Sequence, residues 1–341
     1  MKAPLIWIID EEWPDHATEI ELITAALPDA DIRESGYDWR AALAAFGRGA
    51  DLIIAQVYAD LPTELIGGLL GCRGIALMGG GFDRVDIATA TACGIPVCNV
   101  QGYCAEDIAD YVIQAILHAL RPLDALDATH HNLPWGLPAL AELTPRPSSS
   151  TLHIVGLGRI GTQVARKARA LGMRVTASDQ KINAANAAGI EIVDLDSGLA
   201  GADFVSLHCP LMTSTTGLIS ERQLALMRPG AVLINTARGG LIDEGALADA
   251  LDSGHLGGAV LDVVRDEPPD GDSPIFASPN VIITPHISYA TSDSLRELRQ
   301  RATDNALAML AGRMPSDCVN PTAREDHSPR SCQLNPIGVQ Q

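Results

Sequence analysis

Residues 151–161 read T-L-H-I-V-G-L-G-R-I-G and run on into T-Q-V-A-R-K-A-R-A-L. An apolar strand ends at Gly156, Gly158 and Gly161, and a helical pattern begins there. A bare G-x-G-x-x-G says little, but here the following strand, M-R-V-T-A-S-D, closes on Asp179, about twenty residues on, as a dinucleotide-binding βαβ unit requires. Gly156 permits the tight turn, Gly158 lets the backbone approach a pyrophosphate, and Gly161 lets the helix pack close to the strand. The N–H groups at the helix start suit an anion. Asp179 can accept both ribose hydroxyls and would repel a 2′-phosphate. Its next neighbours are Gln180 and Lys181 rather than Arg, so NAD is expected in preference to NADP.

The rest of the chain fits that unit into a larger α/β frame. Apolar runs alternate with helical periodicity, which predicts βα units and parallel sheets. With 341 residues and 47% hydrophobic content, the chain is long enough for two domains. Residues 5–9, 51–55, 74–78 and 95–100 read as strands, with helices over 15–27 and 62–70, and form a small first domain. Residues 105–121, with acids in the first turn, predict a long helix. Four prolines and a serine run make 132–150 a loop. Strands at 174–178, 203–207, 231–235, 257–261 and 280–283 complete the second sheet, and a helix over 291–312 returns the chain to the first domain. The expected division is 1–103 with 288–321, then 104–287, leaving 322–341 as a disordered tail.

Three residues stand in settings that suit the reduction of a 2-keto acid. Arg238 follows the apolar run V-L-I-N-T-A and would leave a strand end as a planar cation able to grip a carboxylate in bidentate fashion. Glu267 lies in D-E-P-P, where the prolines stop any helix and keep the carboxylate in a loop. His286, after V-I-I-T-P, is the natural proton donor to a carbonyl oxygen near neutral pH.

Charge and cysteine usage narrow the function classes. A net charge of −18 with no Lys/Arg cluster argues against nucleic-acid or membrane-surface binding. The seven cysteines are scattered, and their C-x₄-C and C-x₅-C spacings lack histidines arranged as a zinc site, so no metal is expected and the thiols should be reduced and buried. His130, His131 and His153 lie in or beside the loop with no acidic partner. The N-terminal K-A-P-L-I-W-I-I-D reads as a first strand rather than a signal peptide, and no stretch is long enough to span a membrane, which points to the cytoplasm.

The runs G-L-G-R-I-G, L-H-C-P-L at 207–211, I-N-T-A-R-G-G-L-I-D-E at 234–244, L-D-V-V-R-D-E-P at 261–268 and T-P-H at 284–286 closely resemble the D-isomer-specific 2-hydroxyacid dehydrogenases. The likeness extends from about residue 50 to about 321, in the family's order. Segments 81–87, 98–110 and 312–320 are similar to the branch holding phosphoglycerate dehydrogenase-like enzymes and the C-terminal-binding proteins. The resemblance implies a Rossmann dinucleotide-binding domain beside a smaller flavodoxin-like α/β substrate domain. It implies NAD as cofactor, held by Gly156, Gly158, Arg159, Ile160, Gly161, Asp179, His208, Cys209, Pro210, Thr215, Thr236, Ala237 and Asp262. Arg238 would bind the substrate carboxylate and carbonyl, His286 would be the acid/base, and Glu267 would hold the imidazole and raise its basicity. The helix over 105–121 would support a homodimer.

One departure bears on the substrate. Relatives commonly carry an Arg two residues ahead of the glycine-rich substrate loop, where this chain has Leu77. Gly79, Gly80 and Gly81 can still offer backbone N–H groups to a carboxylate, while Leu77, Met78 and Tyr289 would line a pocket with no cation for a second anionic group. Keto acids with apolar side chains are therefore expected to be the better substrates. Two other readings stay open: an NAD-sensing interaction protein like the corepressors of this branch, and a formate or phosphite dehydrogenase variant. The formate enzymes would lead one to expect Gln in place of Glu267, and the phosphite enzymes a lysine near Met78.

Overall fold

The computed structural model describes residues 3–128, 136–137, 143–182, 189–278 and 280–324. His130, His131, much of the proline-containing loop and the tail beyond 324 lie outside the described residues. The chain forms two compact units, Met1–Tyr103 with Thr291–Gln341, and Cys104–Ala290.

The first unit is built from β1 (Leu5–Ile9), α1 (Ala17–Ala26), β2 (Asp31–Ser35), α2 (Arg40–Ala45), β3 (Leu52–Gln56), α3 (Thr63–Gly67), β4 (Ile75–Met78), α4 (Ile87–Ala92) and β5 (Val97–Cys98). Its parallel strands run in the order β2-β1-β3-β4-β5, the flavodoxin-like arrangement, with the reversal of order between β1 and β3. β1 and β3 are buried along their whole length, which is why they read as continuous apolar runs. β2 reads D-I-R-E-S at the sheet edge, with Asp31, Arg33 and Glu34 exposed and only Ile32 and Ser35 half-buried, so its charges hid it from a hydrophobicity reading. Trp7, Trp39, Ile53, Leu65 and Leu77 share this unit's core.

The second unit opens with α5 (Ala105–Leu120) and α6 (Leu123–Ala128). It continues with β6 (Thr151–Val155), α7 (Arg159–Ala170), β7 (Arg174–Ser178), β8 (Glu191–Ile192), α8 (Leu195–Gly201) and β9 (Phe204–Leu207). After α9 (Glu221–Leu226) come β10 (Val232–Asn235), α10 (Glu244–Asp252), β11 (Gly258–Leu261) and β12 (Val281–Ile283). The seven parallel strands lie in the order β8-β7-β6-β9-β10-β11-β12. The order reverses between β6 and β9, so this is a Rossmann sheet with its switch point at the ends of those strands. β8 is only two residues long at the sheet edge, too short to announce itself in a pattern.

α11 (Ser292–Leu310) belongs to the first unit. Thr291 and Ser294 form a reciprocal capping box at its start. It is anchored to α1 by Arg299, which donates to both oxygens of the fully buried Glu19, one at 2.7 Å, and lies over the Trp13 ring at 4.9 Å. Residues 321–324, the first of them at the edge of the expected tail, form a short 3₁₀ turn with Ala323 buried. Cys72, Cys98, Cys104, Cys209 and Cys318 are reduced thiols. Cys93 is disulfide-bonded, against the expectation of reduced thiols throughout.

Candidate active site

The turn after β6 sits at the Rossmann switch point. Gly156 has φ +99°, and a Cβ there would lie 2.8 Å from the backbone of His208 and Cys209, so only glycine lets the ends of β6 and β9 come this close. A Cβ on Gly161 would stand 2.2 Å from the Gly156 carbonyl oxygen, which accounts for the third glycine. Gly158 caps α7 with no side-chain hydrogen bond and faces open space, so a phosphate can approach the first turn formed by Arg159 and Ile160.

Asp179 follows β7 as the spacing predicted. One carboxylate oxygen accepts from Leu157 N at 2.8 Å, and the other from Lys181 N at 2.7 Å and Ile182 N at 3.0 Å. Burial pushes this carboxyl upward, but the three backbone donors and the nearby Lys181 outweigh it and hold it below the usual carboxylate range. The group is therefore a fixed anion beside the glycine turn.

Beyond β9, the His208 imidazole shares a 2.8 Å hydrogen bond with Ser206 Oγ, and burial lowers it to about 3. The neighbouring Cys209 thiol is pushed up to about 11, again by burial, so neither group is charged near neutral pH. Thr215 ties the following loop by donating to the Pro210 carbonyl at 2.7 Å and accepting from Met212 N at 2.8 Å.

β10 ends on Asn235, whose side chain accepts from Ala237 N at 3.0 Å and donates to Arg238 O at 2.8 Å. This clamp fixes the turn that carries Thr236, Ala237 and Arg238. The buried Thr236 hydroxyl makes no hydrogen bond within the described residues, an orphan group that a bound polar ligand would satisfy. A Cβ on Gly239 would come within 2.0 Å of the Val264 carbonyl oxygen, so the turn lies against the loop that carries Glu267.

Glu267 and His286 meet directly. Glu267 Oε2 is 2.8 Å from His286 Nδ1, while Oε1 accepts from Val264 N at 3.1 Å. Both side chains remain about one fifth exposed, at 21%. His286 has φ +54°, an uncommon conformation for a non-glycine residue. Asp262 holds it there: its backbone carbonyl accepts from His286 N at 2.8 Å, and its carboxylate accepts from Thr284 Oγ1, Ile287 N and Ser288 N. Tyr111 extends this network through a 2.6 Å bond to Thr284. The Tyr289 ring stands edge-on to the imidazole, with centroids 6.3 Å apart. Sequence reasoning missed Asn235, Thr284 and Tyr111, since each acts on a partner that only the folded chain reveals.

In the first unit, Gly79, Gly80 and Gly81 follow β4. Gly79 has φ +156° and leaves no room for a side chain against Val57, and Gly80 O accepts from Asn99 Nδ2 at 2.7 Å. Leu77 and Met78 were expected to line the substrate pocket. Each is 1% exposed, and Leu77 packs into the core with Trp7, Ile53 and Ala55. The alternation of β4 turns Leu77 into the core, and the exposed part of the loop begins at Gly80. Among the described residues no group of three or more His, Cys, Asp or Glu could hold a metal ion, and no helix is long and apolar enough to cross a membrane.

Comparison with known proteins defines the class. Residues 113–288 match the family model "D-isomer specific 2-hydroxyacid dehydrogenase, NAD binding domain". The chain belongs to that family, and the Rossmann unit is an NAD-binding domain. Over 314 residues it is 35% identical to the D-3-phosphoglycerate dehydrogenase of Mycobacterium tuberculosis (strain ATCC 25618 / H37Rv), covering 92% of this chain. It spans only 55% of the length of that relative. It is 34% identical over 280 residues to the glyoxylate reductase of Thermococcus litoralis, covering 80% of this chain and 84% of that one. Among solved structures, D-lactate dehydrogenase from Aquifex aeolicus, complexed with NAD and lactic acid, superposes with a TM-score of 0.83 at 28% identity, covering 92% of this chain and 99% of that one.

Proposed function

We propose that this protein is an NAD-dependent 2-hydroxyacid dehydrogenase that works as a reductase of small 2-keto acids. The observation that carries the reading is the 2.8 Å contact between Glu267 and His286 Nδ1. A carboxylate on Nδ1 fixes the tautomer and leaves Nε2 as the atom that holds the mobile proton. His286 Nε2 would deliver that proton to the C2 oxygen of the keto acid, and take it back in the reverse direction. Glu267 stabilises the protonated imidazole. Arg238 would bind the substrate carboxylate and stabilise the charge that grows on the C2 oxygen. Tyr289 would bound the substrate side chain.

When bound, NAD supplies the hydride donor or acceptor for C2. On this chain Gly156, Gly158, Arg159, Ile160 and Gly161 would hold its pyrophosphate, and Asp179 its ribose diol. His208, Cys209, Pro210, Thr215, Thr236, Ala237 and Asp262 would make up the rest of the cofactor set. The orphan Thr236 hydroxyl and the open approach at Gly158 support this fit.

The expected preference for apolar side chains rested on Leu77 and Met78 as an open wall, and their burial removes that support. What remains is the absence of a cation at position 77. Arg84, a few residues beyond the glycine run, faces Asp60 at 3.4 Å. A phosphate or distal carboxylate would therefore be met by no dedicated counter-charge, which is costly for a group out of water. Monoanionic keto acids, glyoxylate and hydroxypyruvate among them, should be used with higher kcat/KM than phosphohydroxypyruvate or 2-ketoglutarate. Initial rates of NADH oxidation across such a panel test this, and a dianion at the top of the ranking would overturn it.

We place the protein in the cytoplasm as a homodimer. The exposed Leu117 at the end of α5 and the exposed Leu123 support a protein contact there. Light scattering on the eluted protein distinguishes a dimer from a monomer.

A further inference from the structure

We propose that Cys98 and Cys318 form a reversible dithiol/disulfide pair that clips the segment after α11 onto the edge of the five-stranded sheet. The two cysteines face each other across an isolated antiparallel bridge. Val319 donates its N–H to the Val97 carbonyl at 2.8 Å, and Asn99 donates to the Asp317 carbonyl at 3.3 Å. Those bonds flank the cysteines, which makes Cys98 and Cys318 the non-hydrogen-bonded residues of the pair. In such a pair the Cα atoms are about 4.5 Å apart with both side chains on one face, inside the roughly 4.4–6.8 Å range that a disulfide spans.

The register is held from both sides. Asn320 accepts from Val97 N at 2.7 Å and donates to Thr91 Oγ1 at 3.0 Å and Ile95 O at 3.1 Å. Arg301 donates to Asp317 Oδ2 at 2.7 Å and to Gln101 O at 3.0 Å. Closing a sulfur bridge between these anchors turns on the rotamers of two side chains, since the Cα separation typical of such a pair already suits a disulfide. Cys98 is fully buried beside Met309, their sulfurs 3.4 Å apart, whereas Cys318 is half-buried near Asn320 Oδ1. Cys318 is thus the thiol that solvent reaches first.

The oxidant is a small disulfide of the glutathione class. The Cys318 thiolate attacks one of its sulfurs, forming a mixed disulfide and releasing one small thiol. The Cys98 thiolate then attacks the Cys318 sulfur, forming the Cys98–Cys318 bond and expelling the second small thiol. Two protein thiols are oxidised, one small disulfide is reduced to two thiols, and the two protein protons leave on those thiols. The closed loop contains the whole of the second unit, so the bond ties together the two separate stretches of chain that make up the first, and it restricts the unfolded ensemble.

The full-length protein should be equilibrated across a series of glutathione redox buffers, quenched with an alkylating agent, and analysed by peptide fragmentation and thermal unfolding. The expected result is a Cys98–Cys318 link with the loss of two hydrogens, reversed by excess reduced glutathione, and a higher melting midpoint in the linked form. Cys98→Ala should stop at a glutathione adduct on Cys318. Cys318→Ser should gain neither the link nor the rise in midpoint. The proposal is overturned if folded wild-type protein, at every buffer ratio, yields Cys98 and Cys318 both alkylated after denaturation, or joins either of them to another cysteine. The wild-type measurement decides the matter even if one variant does not fold.

Discussion

At the scale of single residues, the folded chain assigns Glu267 a double duty: one oxygen holds the Val264 amide and the other the His286 imidazole. Glu267→Gln keeps the shape but removes the charge that favours a protonated imidazole. Because reduction needs His286 to start protonated, losing that charge should move the alkaline limb of the kcat/KM profile for keto-acid reduction toward lower pH. An unchanged profile at reduced rate would assign Glu267 a purely structural part. Leu77 makes the opposite point. An Arg placed there must leave the core of the first unit or bury its charge, so Leu77→Arg should lower stability by on the order of 3 kcal/mol rather than redirect specificity. Urea unfolding checks this, and a variant of wild-type stability that gained activity on dianions would return Leu77 to the pocket. Gly161 was legible because its reason lies within one strand-turn-helix, and Asp179 because it closes the next strand of the same βαβ unit, whereas the approach of His208 and Cys209 to Gly156 comes from a distant strand. The burial of Leu77 was not, since four apolar residues of a strand do not say which face meets a core and which a ligand.

At the scale of elements, β6 and α8 lock together around His153. The imidazole bonds Thr176 at 2.9 Å and is approached so closely that a Cβ on Gly198 would stand 2.1 Å from it. Burial lowers this histidine to about 4, with Asp194 opposing. In the folded state the ring stays neutral where an unfolded chain would take a proton, at about pH 6.5. Stability is therefore complete above that value and is lost as the pH falls from about 6.5 toward 4. Thermal unfolding between pH 7.5 and 4.5 (roughly the span of that titration) should show a steeper decline for wild type than for His153→Gln; equal slopes would contradict the assignment. Elements with a strong apolar run, such as β1 and β3, were visible in the sequence. β2 and β8 were not, because edge strands tolerate charge and can be short.

At the scale of the whole molecule, one chain stretch returns at Thr291 to complete a unit that the chain left at Tyr103, as the strands and α11 together require. The bond from Arg299 to the fully buried Glu19 fastens that return. Arg299→Ala strands a buried carboxylate and should cost on the order of 3 kcal/mol, whereas the double variant with Glu19→Gln should recover part of it. Equal loss in both would mean that packing over Trp13 carries the contact. That two α/β units follow one another was readable from alternating periodicity, while the partners of α11 were not, because Glu19 and Arg299 are too far apart in sequence for any local pattern to join them.

The proposed reaction has His286 move the proton in an NAD-dependent reduction of a 2-keto acid. It is tested most directly by comparing wild type with His286→Ala in two measurements on the same preparations, NADH binding by fluorescence and steady-state turnover of the best keto acid. NADH affinity should stay nearly intact and kcat fall by about 10²–10⁴. Wild-type turnover by His286→Ala, with NADH still bound, would contradict it.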